Sequence, residues 1–311
     1  MKLEVQKYIQ EYVDKMQAKG ITPTTKQIND HLAEFMYDVN NRPKEDFEGY
    51  SSMEMSKILD YTFDNDSPVQ FKTLSSEEYN QMPLFRQVKY LLQTVVEHEV
   101  KLTAAGYLPP RIVKELYPLG IGEHLIDEGL YKLNKEVDSN SVILARNISE
   151  MAGLTKVRKG VLSATTNGKK IASDDAKVFK QLFETYCRKF NWAYLDGYQG
   201  EQIGRFGFGF SLILLKKYGD VMREDNFYAY KYFNALPALM EGEASAYNTV
   251  EQDCNRCYSI RTFDRFLLYF SLLEISQERQ YDSPKYINKT ALFDKLIEVL
   301  PHKEFQMGNE R

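Results

Sequence analysis

The sequence predicts a mainly α protein with small β-hairpins, in which winged-helix-like units form part of a helical multi-unit assembly. Three observations point there. Apolar residues recur at helical spacing through most of the 311 residues. Capping residues and glycines punctuate those runs where helices would begin and stop. One stretch, Ser141 to Asp174, reads as a complete supersecondary unit of helix, tight hairpin and helix start.

In that unit Val142, Ile143, Ala145, Ile148, Met151 and Ala152 line one face of a helix, and Gly153 stops it by accepting a left-handed backbone. Two strands follow, Leu154 to Arg158 and Val161 to Ala164, joined at Lys159-Gly160, where glycine supplies the positive φ of a tight turn. Thr165 or Thr166 then caps a last helix by accepting one of its unpaired backbone N–H groups.

From the start of the chain, Leu3 to Lys19 has helical period and ends at Gly20. Thr24 or Thr25 caps a second helix to about Val39, so residues 1–48 form a helical hairpin. Ser51 and Glu54 have capping-box spacing ahead of a short helix through Leu59, and Ser75 with Glu78 repeats it. Tyr61 to Leu74 lies between them as an extended connection, completing residues 49–82. Pro83 opens a helix to near Glu99 whose face is Leu84, Val88, Leu91, Leu92, Val95 and Val96.

Thr103-x-x-Gly106 then follows a short apolar strand at the same offset as Thr165-x-x-Gly168, so residues 83–175 are assigned to winged-helix-like units. Residues 176–311 form an aromatic-rich helical region: Val178, Leu182, Phe183, Tyr186 and Phe190 share a face, Ser211 to Tyr218 is a helix stopped by Gly219, and Asn226 to Met240 is another. A third unit is expected there, with helix Thr262 to Leu273, hairpin Glu274 to Asn288, and Thr290 capping Ala291 to Leu300. The competing reading is unrelated helix, hairpin and helix segments.

The 43% hydrophobic and 27% charged residues are an ordinary globular balance, and a net charge of -4 argues against a general polyanion binder while leaving room for a local basic surface. Three cysteines are too few for a disulfide framework, which suits a reducing compartment. The charged start MKLEVQKYIQEYVDK lacks the apolar core of a signal peptide, and no run approaches the roughly 20 apolar residues of a membrane span. The expected location is the cytoplasm.

Lys156, Arg158, Lys159, Lys169 and Lys170 occur with no acidic residue between Met151 and Ser173, a pattern suited to phosphate contacts; the competing reading is a solvated hairpin or protein-contact surface, since charge on an exposed wing is normal. The preceding helix offers only Arg146, Asn147 and Glu150 as base-reading side chains. Cys254-x-x-Cys257 is half a zinc site without a second pair, and reads as two small residues one helical turn apart. Gly204, Gly207 and Gly209 are in the wrong order for a phosphate loop and suggest backbone packed on aromatic core. His98 and His124 have no evident nucleophile or orienting acid and read as capping or surface residues. No catalytic residue, metal or cofactor is nominated.

The segments KLTAAGYLP at 101–109, YSSMEMSKILDYTF, SPVQF and the NGKK after the hairpin together resemble the C-terminal region of plasmid- and transposon-associated ORF-3-like bacterial proteins, over roughly residues 50–300. The resemblance implies a bacterial, mobile-element setting and carries no catalytic residue across. The leading expectation is a non-catalytic interaction protein contacting DNA or RNA through the basic wing. A protein–protein scaffold is the alternative, and an enzyme of unrecognised class the third reading.

Overall fold

The protein was analysed as a computed structural model, which describes residues 2–198, 200–240, 242, 248–278 and 283–303. It is mainly helical with small antiparallel sheets. Helices α1 (Lys2–Gln17) and α2 (Thr25–Asn41) form the expected hairpin, turned at Gly20 with φ +73°. Thr24 caps α2 in a capping box with Gln27. Tyr8 stacks on His31 and Phe35 across the hairpin, at 4.6 and 4.2 Å between ring centres. No residue of α2 is buried.

Helix α3 (Ser52–Asp60) starts at the Ser51–Glu54 capping box, and Glu54 does more than cap. Its carboxylate also takes the Lys303 backbone N–H at 2.9 Å and lies 2.6 Å from His302 Nδ1. Burial raises its pKa, but the hydrogen bonds from Ser51, Lys303 and His302 outweigh that and hold it below the ordinary carboxylate value. A lowered folded-state pKa means stabilisation that is complete above the unfolded value, near about 4.3, and lost as pH falls through the folded one. Acid unfolding followed by circular dichroism should therefore show a steeper loss in the parent than in Glu54→Gln; equal slopes would contradict this assignment.

The extended connection after α3 contains a strand, β1 (Val69–Phe71). Short helix α4 (Ser76–Tyr79) follows on its Ser75–Glu78 box, and then α5 (Pro83–Glu97) with Pro83 in its first turn. Strand β2 (Val100–Lys101), helix α6 (Pro110–Leu116), a short helix α7 (His124–Asp127) and helix α8 (Asn140–Met151) come next. The hairpin is β3 (Thr155–Arg158) and β4 (Val161–Ala164), and β4 lies between the other strands in the order β2-β4-β3. Helix α9 (Thr166–Ile171) starts on Thr165, whose Oγ1 takes the Gly168 N–H at 2.8 Å.

After α10 (Asp175–Arg188) the same order returns. Helix α11 (Phe208–Tyr218) is followed by β5 (Arg223–Glu224), α12 (Asp225–Ala235) and α13 (Val250–Ser259), which runs on as π-helix to Leu267. Strands β6 (Leu273–Gln277) and β7 (Lys285–Lys289) form a hairpin, with sheet order β5-β7-β6, and α14 (Ala291–Leu296) starts on Thr290. The equivalence extends to single atoms. Gly153 and Ser271, with φ +65° and +51°, each end the long helix, and the next residue, Leu154 or Leu272, is fully buried. Thr165 Oγ1 donates to Gly153 O at 2.6 Å and Thr290 Oγ1 to Ser271 O at 2.8 Å. Strand register matches too: Val100↔Leu162 and Thr155↔Ala164 correspond to Arg223↔Ile287 and Leu273↔Lys289.

Helix α10 lies between the two units and contacts both. Phe179 meets Phe85 of the first, while Phe183 meets Phe266 and Phe270 of the second, at 6.4, 5.7 and 4.8 Å. Trp192 lies 4.8 Å from Phe266, and the buried residues from Tyr50 to Ile297 form one core. Strand β8 (Ile297–Val299) pairs with β1, joining segments more than 220 positions apart in the sequence.

Several expectations change. Thr103-x-x-Gly106 starts no helix: Thr103 Oγ1 accepts from Tyr107 N in a turn, and α6 begins only at Pro110. Residues 83–116 are instead the front half of the unit whose hairpin was legible. The helix expected from Thr262 already starts at Val250, and the one expected through Leu300 ends at Leu296 and gives way to β8. Gly219 follows α11 with φ -77°, so no left-handed residue stops that helix there.

The Thr165-x-x-Gly168 offset has a packing reason. A Cβ on Gly168 would lie 2.0 Å from the Leu154 carbonyl oxygen, a backbone atom already held by the Thr165 N–H. Gly168→Ala must therefore push α9 off the hairpin, and overpacking of this kind costs about 1–3 kcal/mol. Urea denaturation checks this, and an unchanged midpoint would refute it.

Candidate nucleic-acid interface

Directly paired residues in an antiparallel sheet project to the same face, and alternate residues along a strand return to it. Lys101 pairs with Val161, which pairs with Arg158, and Lys156 lies two residues before Arg158. All three basic side chains therefore share the outer face of β2-β4-β3 and are exposed, while Val100 and Leu162 face inward and are buried. Lys159 and Gly160 both take positive φ, +51° and +73°, the pattern of a two-residue type I′ turn whose twist matches the strands. A non-glycine residue there costs about 1–2 kcal/mol. It places a lysine at the tip.

Lys101 was not singled out from the sequence, because its partner strand is some sixty positions away. Its available signal was an isolated Val-Lys after a helix end, which has no special pattern. Lys156, Arg158, Lys159 and Lys101 form no salt bridge with any described residue. Lys169 and Lys170 are exposed but sit in the last turn of α9, where a cation also offsets the partial charge of helix carbonyls. Lys170 lines a groove with Lys177 and Lys180 of α10. The five predicted residues thus divide into a sheet face with its tip and a separate pair on α9.

Helix α8 leaves only Asn147, half-buried, of the three side chains nominated for base contact. Arg146 is only 12% exposed and donates to Glu136 Oε2 and Gly106 O at 2.8 Å and to Glu150 Oε1 at 2.9 Å. Glu136 is itself buried and accepts the Leu108 N–H at 2.6 Å. Two of the three side chains nominated for base contact, Arg146 and Glu150, are committed to each other. The second unit repeats the device, since Arg261 and Arg265 of the π-helical turn both bind Asp196.

The other candidates are structural. Cys254 and Cys257 are free, buried and on α13; burial raises both thiols, Cys257 to about 12, which disfavours the thiolate needed for metal or redox chemistry. Among the described residues no group of three His, Cys, Asp or Glu side chains is placed to hold a metal ion. Gly204 and Gly207 pack near aromatic rings, added Cβ atoms lying 3.4 Å from Trp192 and 3.2 Å from Tyr232, whereas one on Gly209 would meet the Ile58 carbonyl and Thr62, both at 2.7 Å, rather than an aromatic ring. His98 caps α5, and His124 is exposed beside Glu128.

One titratable cluster was missed, because its members are far apart in sequence: Ser259 donates to Asp225 at 2.5 Å, and Lys285 bonds Asp264. Burial raises the Asp264 carboxyl pKa despite Lys285, but Ser259 is only 3% exposed, so no substrate reaches its hydroxyl. A cavity of about 310 Å³ between β1 and α10 has Phe71, Tyr79 and Phe179 with Lys177 and Lys180 on its walls. Its lining contains no paired nucleophile and base. No helix among the described residues is long and apolar enough to cross a membrane. Comparison with protein-family models, curated proteins and solved structures finds no match to this chain.

Proposed function

We propose that this protein is a non-catalytic, cytoplasmic nucleic-acid-binding protein that holds the phosphate backbone on the basic face and tip of the β2-β4-β3 sheet. The supporting observation is the juxtaposition of Lys101, Lys156, Arg158 and Lys159 on three paired strands and their turn, with no salt bridge to a carboxylate among the described residues. The order helix, strand, three helices (α6, the short α7 and α8), hairpin, with the first strand beside the last, supports the winged-helix reading of the unit, in which the hairpin is the wing. With Arg146 and Glu150 tied inward, contact runs through phosphates, so sequence discrimination is weak. The resemblance to ORF-3-like proteins adds a bacterial mobile-element setting and no residue role.

A protein–protein role for residues 1–48 is a second reading, favoured by α2 having no buried residue. The nucleic-acid reading is tested by fluorescence anisotropy with two unrelated duplexes across a salt series. Similar affinities and a linear fall of log affinity with log salt are expected, with a slope near -0.9 per phosphate neutralised. No binding at about 50 mM salt would remove the proposal.

A further inference from the structure

The two sheets share strand order and register, so each basic strand position in the first has a counterpart in the second. Lys101 corresponds to Glu224, Lys156 to Glu274, Arg158 to Ser276 and Val161 to Tyr286, because the pairings Lys101↔Val161↔Arg158 and Glu224↔Tyr286↔Ser276 occupy the same register. The second sheet therefore presents Glu224 and Glu274 where the first presents lysines, and both glutamates are exposed. Glu278, two residues beyond Ser276, joins them: Glu224 and Glu278 both raise the pKa of the Tyr286 phenol. Tyr286 is 36% exposed, and Val221 and Met222, at 60% and 55%, lie just before β5. One chain thus carries a basic and an acidic version of the same sheet face.

We infer that the acidic face of the second unit docks on the basic face of the first unit of another copy, giving a head-to-tail self-association. The partner is fixed by complementarity: the same strand frame carries cations at one end of the chain and carboxylates at the equivalent place at the other, with Tyr286, Val221 and Met222 supplying apolar surface on the acidic side. Like charges exclude the two symmetric pairings, first face on first and second on second. The contact is heterologous, so it propagates as an open chain unless the rotation between copies closes a ring. Nucleic acid and the second copy compete for one surface, because phosphates and the glutamates seek the same lysines and arginine. The association uses the face of the proposed function but does not depend on it.

Sedimentation velocity of the full chain tests the inference. At about 50 mM salt the weight-average sedimentation coefficient should rise with protein concentration, and at about 500 mM, where charges are screened beyond roughly 4–5 Å, the rise should disappear. Lys156→Glu with Arg158→Glu cancels the charge of Lys101 and Lys159 and leaves the chain with an acidic face but no basic one, and Glu224→Lys with Glu274→Lys leaves it with no acidic one. Each double variant should remain monomeric alone, and an equimolar mixture should associate, a rescue that misfolded protein would not give. A parent that is monomeric at low salt, a variant that associates alone as the parent does, or a mixture that stays monomeric overturns the inference. Duplex binding separates the two ideas: Glu224→Lys with Glu274→Lys should retain it, and a monomeric parent that still binds duplex leaves the proposed function standing.

Discussion

Asp196→Ala should destabilise the protein by about 3–5 kcal/mol, the cost of leaving a buried charge without its partner. Arg261 is fully buried, and its Nε and Nη2 donate to the two oxygens of Asp196 at 2.9 and 2.8 Å, while Arg265 adds a third bond at 3.1 Å. The remaining Arg261 donors reach backbone carbonyls, with Gly200 O at 2.7 Å, so the guanidinium fastens the 196–204 segment to the π-helical turn. Among the described residues Arg261 has no second carboxylate partner. Chemical denaturation of Asp196→Ala, Arg261→Met and Asp196→Leu with Arg261→Met measures the coupling. The double variant should be no worse than the more damaged single one, since replacing a buried ion pair by apolar groups is often neutral. Additive losses would show that the two side chains do not act as one unit.

The largest expected effect on binding belongs to the quadruple variant Lys101→Ala, Lys156→Ala, Arg158→Ala and Lys159→Ala. If each side chain neutralises one phosphate, its removal lowers the slope of log affinity against log salt by about 0.9, so the four together lower it by about 3–4. The fold should persist, because exposed substitutions away from caps and core change stability by no more than about 0.5 kcal/mol each. The structure makes a sharper demand than the local cluster of basic residues does. Lys101→Ala alone should flatten the slope as much as Arg158→Ala, whereas Lys170→Ala, on α9 beside Lys177 and Lys180, should change it less. Anisotropy titrations, with thermal melting as the fold check, decide it. Equal effects of Lys101 and Lys170 would contradict the sheet-face assignment, and an unchanged slope in a folded quadruple variant would remove the interface.

The local elements were legible in the sequence. Ser51 with Glu54, Ser75 with Glu78, Thr24, Thr165 and Thr290 all cap the helices their spacing announced, and Lys159-Gly160 makes the turn that its glycine suggested. Caps and two-residue turns are closed by atoms within about four positions of one another, so the nearby residues suffice to specify them. The same short range misled at Thr103, where a threonine and a glycine at the right offset close a turn that no helix follows.

Tertiary structure decided the rest. The first strand of each unit meets its hairpin only after the chain has passed through further helices, α6 to α8 in the first unit and α12 and α13 in the second, so Lys101 could not be placed beside Arg158, nor Glu224 across from Tyr286, until the sheets were assembled. Arg146 reads along the chain as a base contact, yet Glu136, Glu150 and the Gly106 carbonyl close around it. Sequence specified the charges and the local elements, because these depend on residue type and near neighbours. Which charges stay uncompensated at the surface depends on strand register and on carboxylates brought in from elsewhere in the chain, and only packing supplies both.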